Sequence, residues 1–312
     1  MKMTFDGKVA IVTGAGGGLG RAYALLLAQR GARVLVNDLG GDFTGQGANP
    51  SYAAAVVDEI RTLGGIALAN GDSVASREGA ERIVAEAMQA WGRVDILINN
   101  AGIVTSRGPL WEMADAQWDT DIRVAATGTF QMCRAVWKHL WDKDYGRILN
   151  VSSGSFFGMG SGLGYPAAKG ATWGITRALA ATADHHRKNI RVNCVMPTAA
   201  SRMTHLLGED VDAAMKREYL PEAAAPVAAY LVHDEVPCNG EMFRIGGGGF
   251  RRVFIGITPG YRSSPADLDM ETVRDHFAQA MAVDGYTIPR NSIDALDADA
   301  GVDWSAFGPG II

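Results

Sequence analysis

Near the N-terminus a short aliphatic run, Lys8-Val9-Ala10-Ile11-Val12, enters Thr13-Gly14-Ala15-Gly16-Gly17-Gly18-Leu19-Gly20 and then the segment Arg21–Ala28. The order is buried strand, glycine turn, helix, and few folds accommodate it. Glycine lets the backbone turn tightly and come close to a pyrophosphate, whose charge is favoured at the N-terminus of the following helix. Gly14, Gly18 and Gly20 fit such a dinucleotide turn. Glycines also stand at 16 and 17, so more than one register can be drawn. The bland alternative is a strand–helix crossover that needs only a flexible turn, and the flanking strand and helix disfavour it.

A second strand, Arg33-Val34-Leu35-Val36-Asn37, ends in Asp38, 18 residues beyond Gly20. That is near the spacing at which a carboxylate binds the ribose hydroxyls of NAD. The same carboxylate repels the 2′-phosphate of NADP. No Lys or Arg lies within Ala15–Leu19, and the nearest cations are Arg21 and Arg33. NAD is therefore the expected cofactor. The alternative role for Asp38 is to cap a loop.

Strands and helices continue to alternate. Ile66–Ala69, Val94–Ile98, Arg147–Val151, Ile190–Val195 and Met242–Ile245 read as strands, and Ser76–Trp91, Asp115–Leu140 and Tyr165–Ala183 as helices. The pattern predicts an α/β fold, a doubly wound parallel sheet of about seven strands. We expect one dinucleotide-binding catalytic domain over residues 1–250 and a C-terminal extension over 251–312. The extension carries one predicted helix, Asp269–Met281, and is expected to pack on a neighbouring subunit. The glycine-rich loop Gly40–Pro50 follows Asp38 and is expected to shape the adenosine end of the site.

A net charge of −5 gives no nucleic-acid footprint. Cys133, Cys194 and Cys238 are scattered, form no zinc pattern, and read as buried free thiols. No apolar run reaches the ~20 residues of a membrane span, no signal peptide is visible, and Gly310-Ile311-Ile312 is not a peroxisomal address. We expect a cytoplasmic protein with neither membrane nor nucleic-acid partner and no metal.

The chemistry is concentrated in Tyr165-Pro166-Ala167-Ala168-Lys169, downstream of Ser152-Ser153. A phenol and an ammonium four residues apart share one helix face. Pro166 is expected at the first helical position. Free tyrosine has a pKa of about 10, and a neighbouring cation lowers it. Tyr165 can then act as general acid/base while a serine hydroxyl holds the substrate oxygen. Phe156, Phe157 and Met159 between them are expected to line an apolar pocket, which favours a hydrophobic alcohol or ketone over a sugar.

Thr13-Gly14 with Gly18 and Gly20, Asn99-Asn100-Ala101-Gly102, Ser153, and Tyr165 with Lys169 together resemble the short-chain dehydrogenase/reductase family over roughly residues 5–250. The resemblance implies an oxidoreductase that interconverts a secondary alcohol and a ketone, usually a homodimer or homotetramer. It implies Ser153, Tyr165 and Lys169 as catalytic residues. It also implies a cofactor site of Thr13, Gly14, Gly18, Leu19, Gly20, Asp38, Asp72, Ser73, Asn99, Ala101, Gly102, Tyr165, Lys169, Pro197 and Thr198. In it Asp72 would touch the adenine, Asn99 would line the groove, Lys169 would bind the nicotinamide ribose, and Pro197 and Thr198 would flank the nicotinamide. Val36–Phe43, Asn70–Val74 and Ser201-Arg202-Met203-Thr204 look like the dehydrogenase branch found in multifunctional enzymes of peroxisomal β-oxidation. That branch implies a (3R)-hydroxyacyl-CoA, with a hydroxysteroid close behind. An NADPH-dependent 3-oxoacyl reductase and a non-catalytic NAD sensor are the other readings. Three departures stand out. Ala125 occupies the position where the family often has a relay asparagine, leaving a backbone carbonyl as the alternative water site. The step from Ser153 to Tyr165 is one residue shorter than is common, with Ser152 the fallback. Thr198 replaces a usual glycine.

Overall fold

The computed structural model describes residues 2–42, 47–105, 108–160, 162–200, 208–292 and 294–295. The chain forms two compact units, residues 1–252 and 253–312. The first is built on strands β1 (Val9–Thr13), β2 (Arg33–Asn37), β3 (Ile66–Asn70), β4 (Ile96–Asn99), β5 (Gly146–Val151), β6 (Ile190–Pro197), β7 (Met242–Gly246) and β8 (Gly249–Val253). They lie in the order β3-β2-β1-β4-β5-β6-β7-β8. The pairings from β3 through to β7 are all parallel, with Ala10 opposite Val34 on one side and Ile96 on the other. The order reverses between β1 and β4, so their carboxyl ends, Thr13 and Asn99, open the crevice where doubly wound sheets bind ligands.

Alternate strand residues serve opposite faces. Ala10 and Val12 of β1 pack with α1 (Gly18–Gln29), α2 (Ser51–Thr62) and α8 (Pro221–Leu231), whereas Val9 and Ile11 pack with α3 (Arg77–Trp91), α5 (Gly128–Lys143) and α6 (Gly164–His185). Helices α4 (Asp115–Asp121) and α7 (Glu209–Glu218) also belong to this unit.

Several expectations are refined. The long helix after β4 is not uniform: α4 passes through a π-helical stretch, Ile122–Thr127, before α5. Helix α6 starts at Gly164, so Pro166 is its third residue and not its first. The first four helical N–H groups have no intrahelical partner, so proline costs nothing there. An eighth strand follows β7 through Gly247-Gly248, both at positive φ as a tight hairpin requires.

In the second unit, α9 (Met270–Met281) is capped by Asp269, which accepts from the Thr272 N–H at 2.8 Å. Ile257 and Thr287 form an antiparallel bridge, and Phe254 stacks on Tyr286.

Candidate active site

The turn after β1 is shaped by what its glycines exclude. A Cβ on Gly14 would lie 2.7 Å from the Cα of Ala101, and one on Gly20 would lie 2.3 Å from the Gly14 carbonyl oxygen. Gly17 and Gly18 instead face open space and line the cleft. Thr13 and Asn100 fasten this turn to the end of β4. The Thr13 hydroxyl accepts from the N–H groups of Asn100 and Ala101, each at 3.1 Å. The Asn100 amide donates to the carbonyls of Thr13 at 3.0 Å and Gly14 at 2.9 Å. Thr13 and Gly20 are therefore structural props beneath the cleft.

Gly14, Gly18, Leu19, Asp38, Asp72, Ser73, Ala101 and Gly102 all line the cleft. Asn99 does not. Its buried amide donates to Cys133 Sγ and Asn150 Oδ1 in a network below the sheet end. Of the pair it is Asn100 that lines the cleft, which the doubled Asn99-Asn100 signal contains but which a reading centred on the first of the pair misses.

At the far end of β2, Asp38 is almost fully buried. Its carboxylate accepts from Gly16 N–H at 2.8 Å and Gly40 N–H at 2.7 Å. Leu39, Gly41 and Asp42 extend the lining, so the start of the glycine-rich loop shapes this end; residues 43–46 lie outside the described residues. Among the described lining residues are three carboxylates, Asp38, Asp42 and Asp72, and no lysine or arginine. Arg21 is engaged by Glu59 at 2.5 Å and Glu222 at 3.2 Å, and Arg33 starts β2 at the end opposite Asp38. Asp72 pairs with Arg82 at 2.7 Å.

Strand β5 delivers the serines and α6 the tyrosine and lysine. The hydroxyls of Ser153 and Tyr165 share a hydrogen bond. Ser152 is fully enclosed and donates to the Lys169 carbonyl at 2.8 Å, which holds β5 to α6 and leaves Ser153 as the serine at the phenol. Lys169 Nζ lies 5.6 Å from the Tyr165 ring centroid and donates to the Val151 carbonyl at 2.7 Å. A Cβ on Gly102 would stand 3.2 Å from this ammonium, so the absence of a side chain at 102 opens the cleft toward Lys169.

The expected lowering of the Tyr165 pKa is not what the chain alone provides. Burial is the largest effect and raises it; the Ser153 hydrogen bond opposes this, and the Asp121 carboxylate adds to it. Lys169 is itself pushed down to about 8 by burial, which weakens its hold on a phenolate. Tyr165 is thus a protonated acid in the free protein.

Pro197 ends β6, and the N–H of Thr198 donates to Ile245 at 2.8 Å. The positive φ of Gly246 leaves room for the Thr198 carbonyl, which a Cβ there would meet at 2.2 Å. Ala125 is buried, and its carbonyl accepts from the Thr129 hydroxyl at 2.7 Å. Phe156 is half-buried along α6 at Gly170, whereas Phe157 and Met159 are exposed. Cys133 and Cys194 are buried free thiols and Cys238 is half-buried. Ser201–Thr204 and His205 lie outside the described residues.

These residues fit an extended, diphosphate-bearing dinucleotide: an open glycine face at a helix N-terminus, a carboxylate at one end, and an ammonium with a phenol at the other. A nicotinamide, when bound, gives or takes the hydride. Chemically, the arrangement can hold an oxygen of a bound molecule at the Ser153 hydroxyl and exchange a proton at the Tyr165 hydroxyl, with Lys169 beside the phenol ring.

Comparison with known proteins agrees. The short chain dehydrogenase family model matches residues 8–212. The chain is 43% identical over 281 residues to the mouse peroxisomal multifunctional enzyme type 2, covering 88% of this chain and 37% of that protein. The full-length peroxisomal multifunctional enzyme type 2 of Drosophila melanogaster superposes with a TM-score of 0.76 at 30% identity, covering 94% of this chain and 48% of that one. A 7α-hydroxysteroid dehydrogenase, solved with NADH and 7-oxo glycochenodeoxycholic acid, superposes with a TM-score of 0.69 at 29% identity, covering 79% and 95%. The chain thus spans less than half the length of the two multifunctional enzymes. It belongs to the short-chain dehydrogenase family, as an oxidoreductase of CH–OH groups.

Proposed function

We propose that this chain interconverts a (3R)-hydroxyacyl-CoA, or a comparably bulky apolar alcohol, with its ketone, and uses NAD in preference to NADP. The observation that carries the reaction is the Ser153–Tyr165 hydrogen bond beside a glycine-walled cleft. The acyl-CoA reading is supported by likeness to the multifunctional enzymes. A hydroxysteroid is the second reading, favoured by the steroid-bound neighbour. The preference for NAD is supported by the three cleft carboxylates, which oppose a 2′-phosphate. In reduction Tyr165, protonated in the free chain, donates to the carbonyl oxygen as it becomes an alkoxide. In oxidation it takes the alcohol proton.

We propose further that the chain works as a homodimer or homotetramer in the cytoplasm. The apolar side chains of Met270, Val273, Phe277 and Met281, spaced along α9 and all exposed, support self-association. Light scattering on the purified chain checks this, and a monomer refutes it.

The test of the chemistry is NADH formation with a panel of (3R)- and (3S)-hydroxyacyl-CoAs and hydroxysteroids, alongside a Tyr165→Phe variant. We expect turnover with at least one substrate and a loss of about 10²–10⁴-fold in the variant. Full activity of Tyr165→Phe refutes the mechanism.

A further inference from the structure

Asp121 is a carboxylate with none of its surface exposed, a placement that globular proteins avoid unless the charge has a task or partners. It ends α4 at the point where the helix widens into its π-helical stretch. Its Oδ1 accepts from both the N–H and the hydroxyl of Thr105, at 2.8 and 2.9 Å. The single Thr105 hydroxyl proton is shared between that oxygen and the Gln117 carbonyl, also at 2.9 Å, and Gln117 Nε2 donates to the Thr105 carbonyl at 3.0 Å. Thr105 is thereby gripped at every polar atom. It stands two residues beyond Asn100–Ile103, which wall the cleft.

The same helix lies against α6. Ala125 and Ala126 pack on Ala168, with Ile122 alongside. Ala168 is three residues beyond Tyr165, and Ala125 is four beyond Asp121. One turn back from that contact, Asp121 stands on one helix and Tyr165 on the other, where α4 meets α6. We propose that Asp121 is a positioning residue of the active site: a buried anion, held by Thr105, that acts on the Tyr165 hydroxyl across the contact between α4 and α6.

A second negative charge forming near a fixed carboxylate is opposed. Asp121 therefore favours the phenol over the phenolate, in the same direction as burial. The other groups facing this point are Lys169 on α6, Ser153 at the end of β5, and the Cys194 thiol on β6, which interacts with Lys169; Arg123 on the π-helical stretch is exposed. None of these is altered by neutralising position 121. The inference rests on the reading of Tyr165 as the acid/base group, and its test is independent of turnover.

The test is a pH titration of tyrosinate ultraviolet absorbance on the full chain without added cofactor. The chain has eight tyrosines. Subtracting the curve of Tyr165→Phe from that of the parent isolates Tyr165, and the same subtraction is made in Asp121→Asn and Asp121→Ser backgrounds. Asparagine keeps an oxygen for Thr105 and removes the charge, and serine guards against misfolding of the first variant. We expect the Tyr165 midpoint to fall by about one pH unit, the size of one nearby charge at the effective dielectric of a protein site. A control, Gln117→Ala, loosens the grip on Thr105 but keeps the charge, and is expected to leave the midpoint in place. An unchanged or raised midpoint in a folded Asp121 variant overturns the proposal. Full turnover by Tyr165→Phe would overturn the proposed mechanism instead, so the two failures are told apart.

Discussion

Replacing Lys169 with methionine should stabilise the free protein near neutral pH and destabilise it in strong base. Lys169 is 3% exposed, and burial pushes it from 10.5 down to about 8. That difference corresponds to about 3 kcal/mol at 1.36 kcal/mol per unit, the cost of keeping the ammonium charged in the folded state. The cost is present in full below pH 8. Between about 8 and 10.5 the unfolded chain binds the proton that the folded chain has lost, so the stability of the parent rises with pH. Above 10.5 both states are neutral and the cost is gone. Methionine fills similar space without the charge, but the Val151 carbonyl loses its 2.7 Å donor, at about 1–2 kcal/mol. The variant should therefore be more stable than the parent by about 1–2 kcal/mol at pH 7, and less stable by a similar amount near pH 10.5. Urea unfolding of both proteins at the two pH values, without cofactor, measures this. Other groups that titrate in base are common to both proteins and largely cancel in the difference. A destabilised variant at pH 7, or a difference that does not move with pH, refutes the reasoning. The same variant should lose most NADH formation, since Lys169 is the ammonium that Gly102 leaves open to the cleft.

Two other substitutions probe the cofactor side. Gly20→Ala should cost about 1–3 kcal/mol of stability and weaken NAD binding, because its Cβ would stand 2.3 Å from the backbone oxygen of Gly14; urea unfolding and calorimetric titration with NAD measure the two effects. Asp38→Ala removes the acceptor for Gly16 and Gly40 and one of three cleft carboxylates. The ratio of NAD to NADP affinity should fall by about tenfold or more, equivalent to about 1.4 kcal/mol, and an unchanged ratio would mean that Asp38 does not govern the choice.

What the sequence reveals and what it hides divide along physical lines. The parallel strands of the core read correctly because a strand buried on both faces is a short aliphatic run, as in Val9–Val12 and Ile96–Ile98. The turn after β1 is legible because only glycine satisfies contacts as close as those at Gly14 and Gly20. The misses have other origins. Helix α8, for which no expectation was drawn, contains Pro226 and continues through it with its alanines packed in the core. Helix α2 carries Ala53, Val56, Val57 and Ile60 at helical spacing, but the glycine-rich loop before it obscures where regular structure resumes. The π-helical stretch has no periodic signature, because it concerns how one segment widens against α6.

The electrostatics of the site lie furthest from the sequence. Tyrosine four residues before lysine suggests a phenol made acidic by its neighbour, and spacing alone cannot show that both groups are buried. Burial moves the two in opposite directions, Tyr165 up and Lys169 down, so each becomes more often neutral. Lys169 is still charged near neutral pH, but with the phenol pushed up by burial the proton stays on Tyr165. The fold thus holds Tyr165 as a donor for carbonyl reduction, and oxidation of an alcohol requires additional positive charge beside it. Asp121 works in the same sense, from a helix the motif does not include. A Tyr-x-x-x-Lys pair thus fixes which groups meet, while the helix packed against them and the depth of the site fix which of the two holds the proton.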